Sequence, residues 1–103
     1  MRMMVTFSFP ADSGNDIVRS GKIDQIFGNL MADLKPEAAY MYPVDGHRGG
    51  HMILNVTDSS GVADIGEKFW FALKAHVTMT PVMNGEDLQK GLAGIGDIVK
   101  RYG

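Results

Sequence analysis

The chain holds three histidines and no cysteine. Thiolate nucleophiles, disulfides and cysteine-containing metal sites are therefore excluded, and imidazole is the main candidate for proton transfer near neutrality. His51 opens the stretch His51-Met-Ile-Leu-Asn-Val-Thr57, which alternates as a strand does. Met52, Leu54 and Val56 fall on one face, while His51, Ile53 and Asn55 fall on the other. The first face needs a core. The second carries an imidazole and an amide and needs water, a ligand or a partner.

The same two-sided character recurs in other segments. Their polar rows supply Thr6 and Ser8, Tyr40 and Tyr42, and His76 and Thr78. A histidine on such a face, His51 or His76, could serve as a general base or bond a ligand. Tyr40 and Tyr42 could stack on that ligand or bond it. Thr6, Ser8, Asn55 and Thr78 would add hydrogen bonds. The competing account is a half-buried dimer interface with satisfied histidines. Arg48, expected beside the mouth, could meet an acidic ligand, or simply be solvated.

Other chemistry has less behind it. His47 and His51, with Asp45 nearby, suggest a partial metal site. Four strand residues separate by about 13 Å, too far for one ion unless the intervening Gly49-Gly50 bulges. No metal and no cofactor is therefore expected. No nucleophile-elbow motif supports serine–histidine–acid catalysis.

The elements that must position these side chains follow from periodicity. Met3 to Phe9 alternates as a first strand, ended by Pro10. Asp12-Ser13-Gly14-Asn15 reads as a turn offering helix caps. A short helical turn is expected around Ile17 and Val18, then a break at Ser20-Gly21. A main helix from about Lys22 carries Ile23, Ile26, Phe27, Leu30, Met31 and Leu34 on one stripe. Pro36 stops it.

Ala38 to Tyr42 is a second strand, put at an edge by Pro43. Asp45-Gly46 signals a hairpin, and Gly49-Gly50 suggests looseness before the third strand at about His51. Asp58-Ser-Ser-Gly61 leads into a helix with Val62, Ile65, Phe69, Ala72 and Leu73 inward and Trp70 off the stripe. Ala75 to Val82 is the fourth strand. Asn84-Gly-Glu-Asp87 is a capping signature for a last helix bearing Leu88, Leu92, Ile95, Ile98, Val99 and Tyr102. Gly91, Gly94 and Gly96 weaken that helix, so docking rather than propensity should hold it.

Length and composition set the frame. One domain over residues 1–103 is expected, with 45% hydrophobic and 21% charged residues. The net charge of -2 argues against nucleic-acid binding by phosphate neutralisation. No basic cluster exceeds Lys100-Arg101, so a polybasic membrane anchor is not expected. The N-terminal apolar run is too short for a signal peptide, and the chain reads as cytoplasmic.

The order strand, helix, strand, strand, helix, strand, helix gives an α+β architecture. It is the ferredoxin-like βαββαβ plan with a C-terminal helix, a four-stranded antiparallel sheet and strands one and three central. Its helices cover one sheet face. The other is too apolar and aromatic for plain solvent and too polar for a dry core. Two such faces packed in a homodimer would account for it.

On this order and on the stretches Lys35-Pro-Glu-Ala-Ala-Tyr40 and Thr80-Pro-Val-Met-Asn-Gly-Glu-Asp-Leu-Gln-Lys-Gly91, nearly the whole chain resembles the dimeric α+β-barrel superfamily. That superfamily includes small monooxygenase-like and muconolactone-isomerase-like proteins. Within it, the chain looks like a family of short bacterial proteins, some called pantothenate synthetases. An ATP-using ligase would need a glycine-rich phosphate loop after a strand, and none occurs here. The resemblance implies a homodimer with a small-molecule pocket on the helix-free face. The alternative is a cofactor-independent isomerase or monooxygenase-like enzyme acting on a small compound, aromatic compounds included. A third possibility is an interaction module with that face filled by a partner.

Overall fold

The computed structural model describes residues 1–103. It is an α+β fold with one four-stranded antiparallel sheet. The strands are β1 (Arg2–Phe9), β2 (Ala38–Met41), β3 (Arg48–Asn55) and β4 (His76–Pro81), in the order β2-β3-β1-β4. The helices are α1 (Ala11–Arg19), α2 (Ile23–Leu34), α3 (Ser60–Leu73), α4 (Gly85–Gly91) and α5 (Ile95–Tyr102).

β1 and β3 occupy the centre because they carry the longest fully apolar rows. Met3, Val5, Phe7 and Phe9 of β1 and Met52 and Leu54 of β3 are buried, with Val56 just beyond. They meet Leu30 of α2 and Ile65, Phe69 and Leu73 of α3 in one cluster. Phe7 stacks at 4.9 Å from Phe69, ring centre to ring centre, and 6.1 Å from Phe27. Full burial of each large side chain contributes roughly 1.5–3 kcal/mol.

Several local expectations need correction. Asp12-Ser13-Gly14-Asn15 lies inside α1, not in a turn before it. The helix begins directly after Pro10, whose φ of -61° is set for helix entry and which makes no side-chain cap. Gly14 permits this: a methyl group there would press on Phe9 and on the Arg48 guanidinium. The break at Ser20-Gly21 and the end of α2 before Pro36 stand as expected. Lys35 closes α2, and Lys74 closes α3, in the left-handed region, with φ of 46° and 51°.

Gly49 and Gly50 are not loose. Both lie within β3, where a β-carbon would collide with the carbonyl oxygens of Phe7 and Tyr40 respectively. They let three backbones approach closely, and the strand starts at Arg48 rather than His51. Asp45 and Gly46, both with positive φ, make a two-residue turn closed by reciprocal Val44–His47 backbone bonds of 2.9 and 3.0 Å. That is the type I′ hairpin which Asp-Gly favours.

The last helix is two helices. Asn84 and Asp87 form the capping box, each side chain accepting from the other's backbone N–H. The helix then breaks across Leu92-Ala93-Gly94. It is not docked: Leu88, Leu92, Ile95, Ile98, Val99 and Tyr102 are all exposed. The molecule is correspondingly drawn out, 60 × 26 × 21 Å. No helix is long and apolar enough to cross a membrane.

Candidate functional site

The register arranges the sheet's helix-free face into transverse rows. One row runs Tyr40, His51, Thr6, Thr78, each side chain directly opposite the next across β2, β3, β1 and β4. In the adjacent row Gly49 faces Ser8, Ser8 faces His76, and the Tyr42 N–H donates to the Gly49 carbonyl at 3.1 Å. No charged side chain stands in either row.

Two features occupy this surface side by side. The first is an aromatic cluster over β2 and β3. Tyr42 Oη lies 2.8 Å from His51 Nδ1, and the two rings meet nearly edge-on at 5.4 Å. Tyr40 lies 5.5 Å from the same imidazole. Gly49, opposite Tyr42, has no side chain to stand between Tyr42 and His51.

The second feature is a cavity of about 360 Å³ over β1 and β4, lined by Thr6, Ser8, His76 and Thr78 and walled by Val44, Asp45 and His47. The β2–β3 hairpin supplies that wall by curling over its own sheet. His47 Nδ1 sits 3.1 Å from the Asp45 carbonyl, which steadies the ring against the turn.

Four of the eight expected site residues, Thr6, Ser8, His76 and Thr78, thus share one cavity, and three more, Tyr40, Tyr42 and His51, form its neighbour. His51 and His76 do not converge. They stand on strands separated by β1, about 10 Å apart laterally from strand spacing alone. One ligand could span them, but they cannot share one proton. Asn55 stands apart from both groups, four residues down β3 from His51, where its Oδ1 accepts from the N-terminal ammonium at 3.1 Å.

Arg48 also differs from expectation. It belongs to the row of Gly50, Met52 and Leu54, so it faces the helix layer, and its guanidinium donates to Asn15 Oδ1 at 2.9 Å. His47 and Asp45 are the residues the sequence did not assign to this face. The Asp-Gly turn signal identified their hairpin, but not the direction of its curl. No three histidine or acidic side chains gather closely enough to hold a metal ion.

A larger hollow, about 550 Å³, lies at the opposite end of the sheet beside Met1, Arg2, Glu37, Asn55 and Asp87. Its charges are already paired. Arg2 donates to Glu37 at 2.9 Å and to Asp87 at 3.0 Å. The Asn84 N–H and then Arg2 hold the Asp87 carboxyl below the usual aspartate range, and Glu37 chiefly raises Arg2. This end reads as an anchor for α4 rather than as a receptor. Set against protein families, curated proteins and solved structures, the chain matches none.

Proposed function

We propose that this protein is a homodimeric small-molecule-binding protein of the ferredoxin-like plan. Two helix-free sheet faces meet as a dimeric α+β barrel and enclose the ligand. The cavity against Thr6, Ser8, His76 and Thr78 carries the reading, because its 360 Å³ falls within the range of small-molecule sites. The strand order β2-β3-β1-β4, with β1 and β3 central, supports that plan. Tyr40 and Tyr42, 61% and 40% exposed, give the face an aromatic rim that a second subunit would cover. The lining offers hydroxyls and imidazoles with one carboxylate at the wall, which suits a small neutral or weakly cationic compound with an aromatic or apolar part.

A second reading is a cofactor-independent enzyme of isomerase or monooxygenase-like type, with His51 or His76 as general base. The Tyr42–His51 contact favours it, since an Nδ1–H donated to the Tyr42 hydroxyl would leave the Nε2 lone pair free to take a substrate proton.

A metabolite panel followed by thermal shift and by histidine-ring ¹⁵N spectra tests the binding reading. The expected result is a compound that raises the melting temperature and moves the His47 and His76 ring signals. A panel that moves neither ring at millimolar concentration, or whose hits perturb only the Arg2 end, overturns it.

A further inference from the structure

We infer that the C-terminal arm, α4 and α5, is a clasp that pairs with the same arm of a second copy of this chain. The inference rests on the homodimer reading above and adds a contact that the sheet faces do not supply. Within α5, Ile95, Ile98, Val99 and Tyr102 fall at i, i+3, i+4 and i+7, one face of the helix, and Leu88 and the C-cap Leu92 lie one turn apart at the end of α4. Such an apolar stripe is the seam by which one helix packs on another. In this chain no strand or helix packs closely over the seam, and its residues are 46% to 78% exposed.

The amount of uncovered surface fits a second copy. The chain exposes 7064 Å², against roughly 5,700 Å² for a compact folded chain of its mass. Its radius of gyration is 17.3 Å, against about 13 Å for a compact domain of its length. The excess of roughly 1,400 Å² exceeds the ~800 Å² per partner that a standard interface buries. A contact across a twofold axis must be self-complementary, and this arm is: its seam is uncharged, and Glu86, Asp87 and Asp97 balance Lys90, Lys100 and Arg101. The same balance gives an anionic lipid surface nothing to attract. The arm is also aimed. The capping box and the Arg2–Asp87 pair fix the start of α4 against the sheet, so the arm leaves the body in a set direction.

The test uses the full-length chain. All twelve buried apolar core residues precede β4, so arm variants leave the body's packing untouched. Sedimentation equilibrium of the wild type and of the double variant Leu92→Asp/Ile98→Asp is expected to show a dimer and at least a hundredfold weaker association, with unchanged near-ultraviolet spectra. The chain has no cysteine, so Leu92→Cys, Ile95→Cys and Val99→Cys can be oxidised singly. At least one is expected to form a covalent dimer, whereas Asp97→Cys, off the seam, is not. A double variant that dimerises like the wild type, a wild-type monomer, absence of crosslinking at all three seam positions, or flotation of the full-length chain with phosphatidylcholine–phosphatidylserine vesicles overturns the clasp. If the double variant keeps the wild-type dimer while a compound still moves the His47 and His76 signals, the clasp falls and the binding reading stands. A clasped dimer that binds nothing in the panel does the reverse.

Discussion

The Tyr42 hydroxyl meets His51 Nδ1 at 2.8 Å across a diagonal of the sheet, from a tyrosine one row removed from the histidine. When Tyr42 donates, the imidazole proton resides on Nε2, the nitrogen turned away from the pair. Tyr42→Phe is expected to mix the two tautomers, visible as a change in the His51 ¹⁵N shifts. The accompanying stability loss should be near 0.5–1 kcal/mol, because the bond is solvent-accessible. Unchanged ring shifts would show that the hydroxyl does not set the tautomer.

Backbone proximity at Gly49 and Gly50 makes the opposite demand from a loose hinge. Gly49→Ala must displace the Phe7 carbonyl, and Gly50→Ala the Tyr40 carbonyl. Each should cost about 1–3 kcal/mol by the ordinary penalty for forcing atoms into a packed region. Gly28→Ala, in α2 with open space around it, should instead stabilise by about 0.5–1 kcal/mol. Chemical denaturation of the three variants separates close approach from flexibility.

Lys74 closes α3 with a φ of 51°, a conformation that disfavours any side chain. Lys74→Gly should therefore raise stability, by up to about 1 kcal/mol. A fall in the denaturation midpoint would mean that the lysine side chain contributes more than its backbone costs.

Acid should loosen α4 before the sheet. The Asn84 N–H, and after it Arg2, favour the Asp87 carboxylate, so its folded pKa is depressed. A depressed folded value means that the stabilisation is present above the unfolded aspartate pKa of about 4 and is lost as pH falls through the folded value below it. Hydrogen exchange of the Asn84 and Leu88 amides should show protection falling in that window. Asp87→Asn should flatten the dependence and lower protection already at neutral pH.

Two phenylalanines two positions apart on α3 should respond very differently. Phe69 is fully buried and Phe71 is 86% exposed. Phe69→Ala should cost about 3–5 kcal/mol through lost transfer energy and the cavity left behind. Phe71→Ser should stay within about 0.5 kcal/mol in an isolated subunit. A large loss at Phe71 in the assembled protein would mark the outer helix layer as a further contact.

The sequence by itself determined the elements and the faces. Period-two alternation in Met3–Phe9 and His51–Thr57 identified strands and sorted their side chains. Three-four spacing identified α2 and α3, and Asp45-Gly46 and Asn84–Asp87 marked a turn and a cap. These are local preferences, set by sterics and hydrogen bonds between residues a few positions apart, so they can be read in one dimension. Asp12–Asn15 misled because its cap-forming residues were absorbed into a helix that Pro10 could start and that Gly14 let pack.

Tertiary structure alone decided which polar residues stand together. Thr6, His51, Tyr40 and Thr78 share a row because the β1–β3, β2–β3 and β1–β4 registers coincide there, and register depends on packing across the whole sheet. The Val44–His47 hairpin walls the cavity over β1 and β4, and Gly49 and Gly50 just beyond it meet the Phe7 and Tyr40 backbones, contacts 42 and 10 positions away along the chain. The arm followed the same logic in reverse. Its apolar seam was legible, but no neighbour within the chain receives it, and whether a seam is covered depends on what lies opposite it in space.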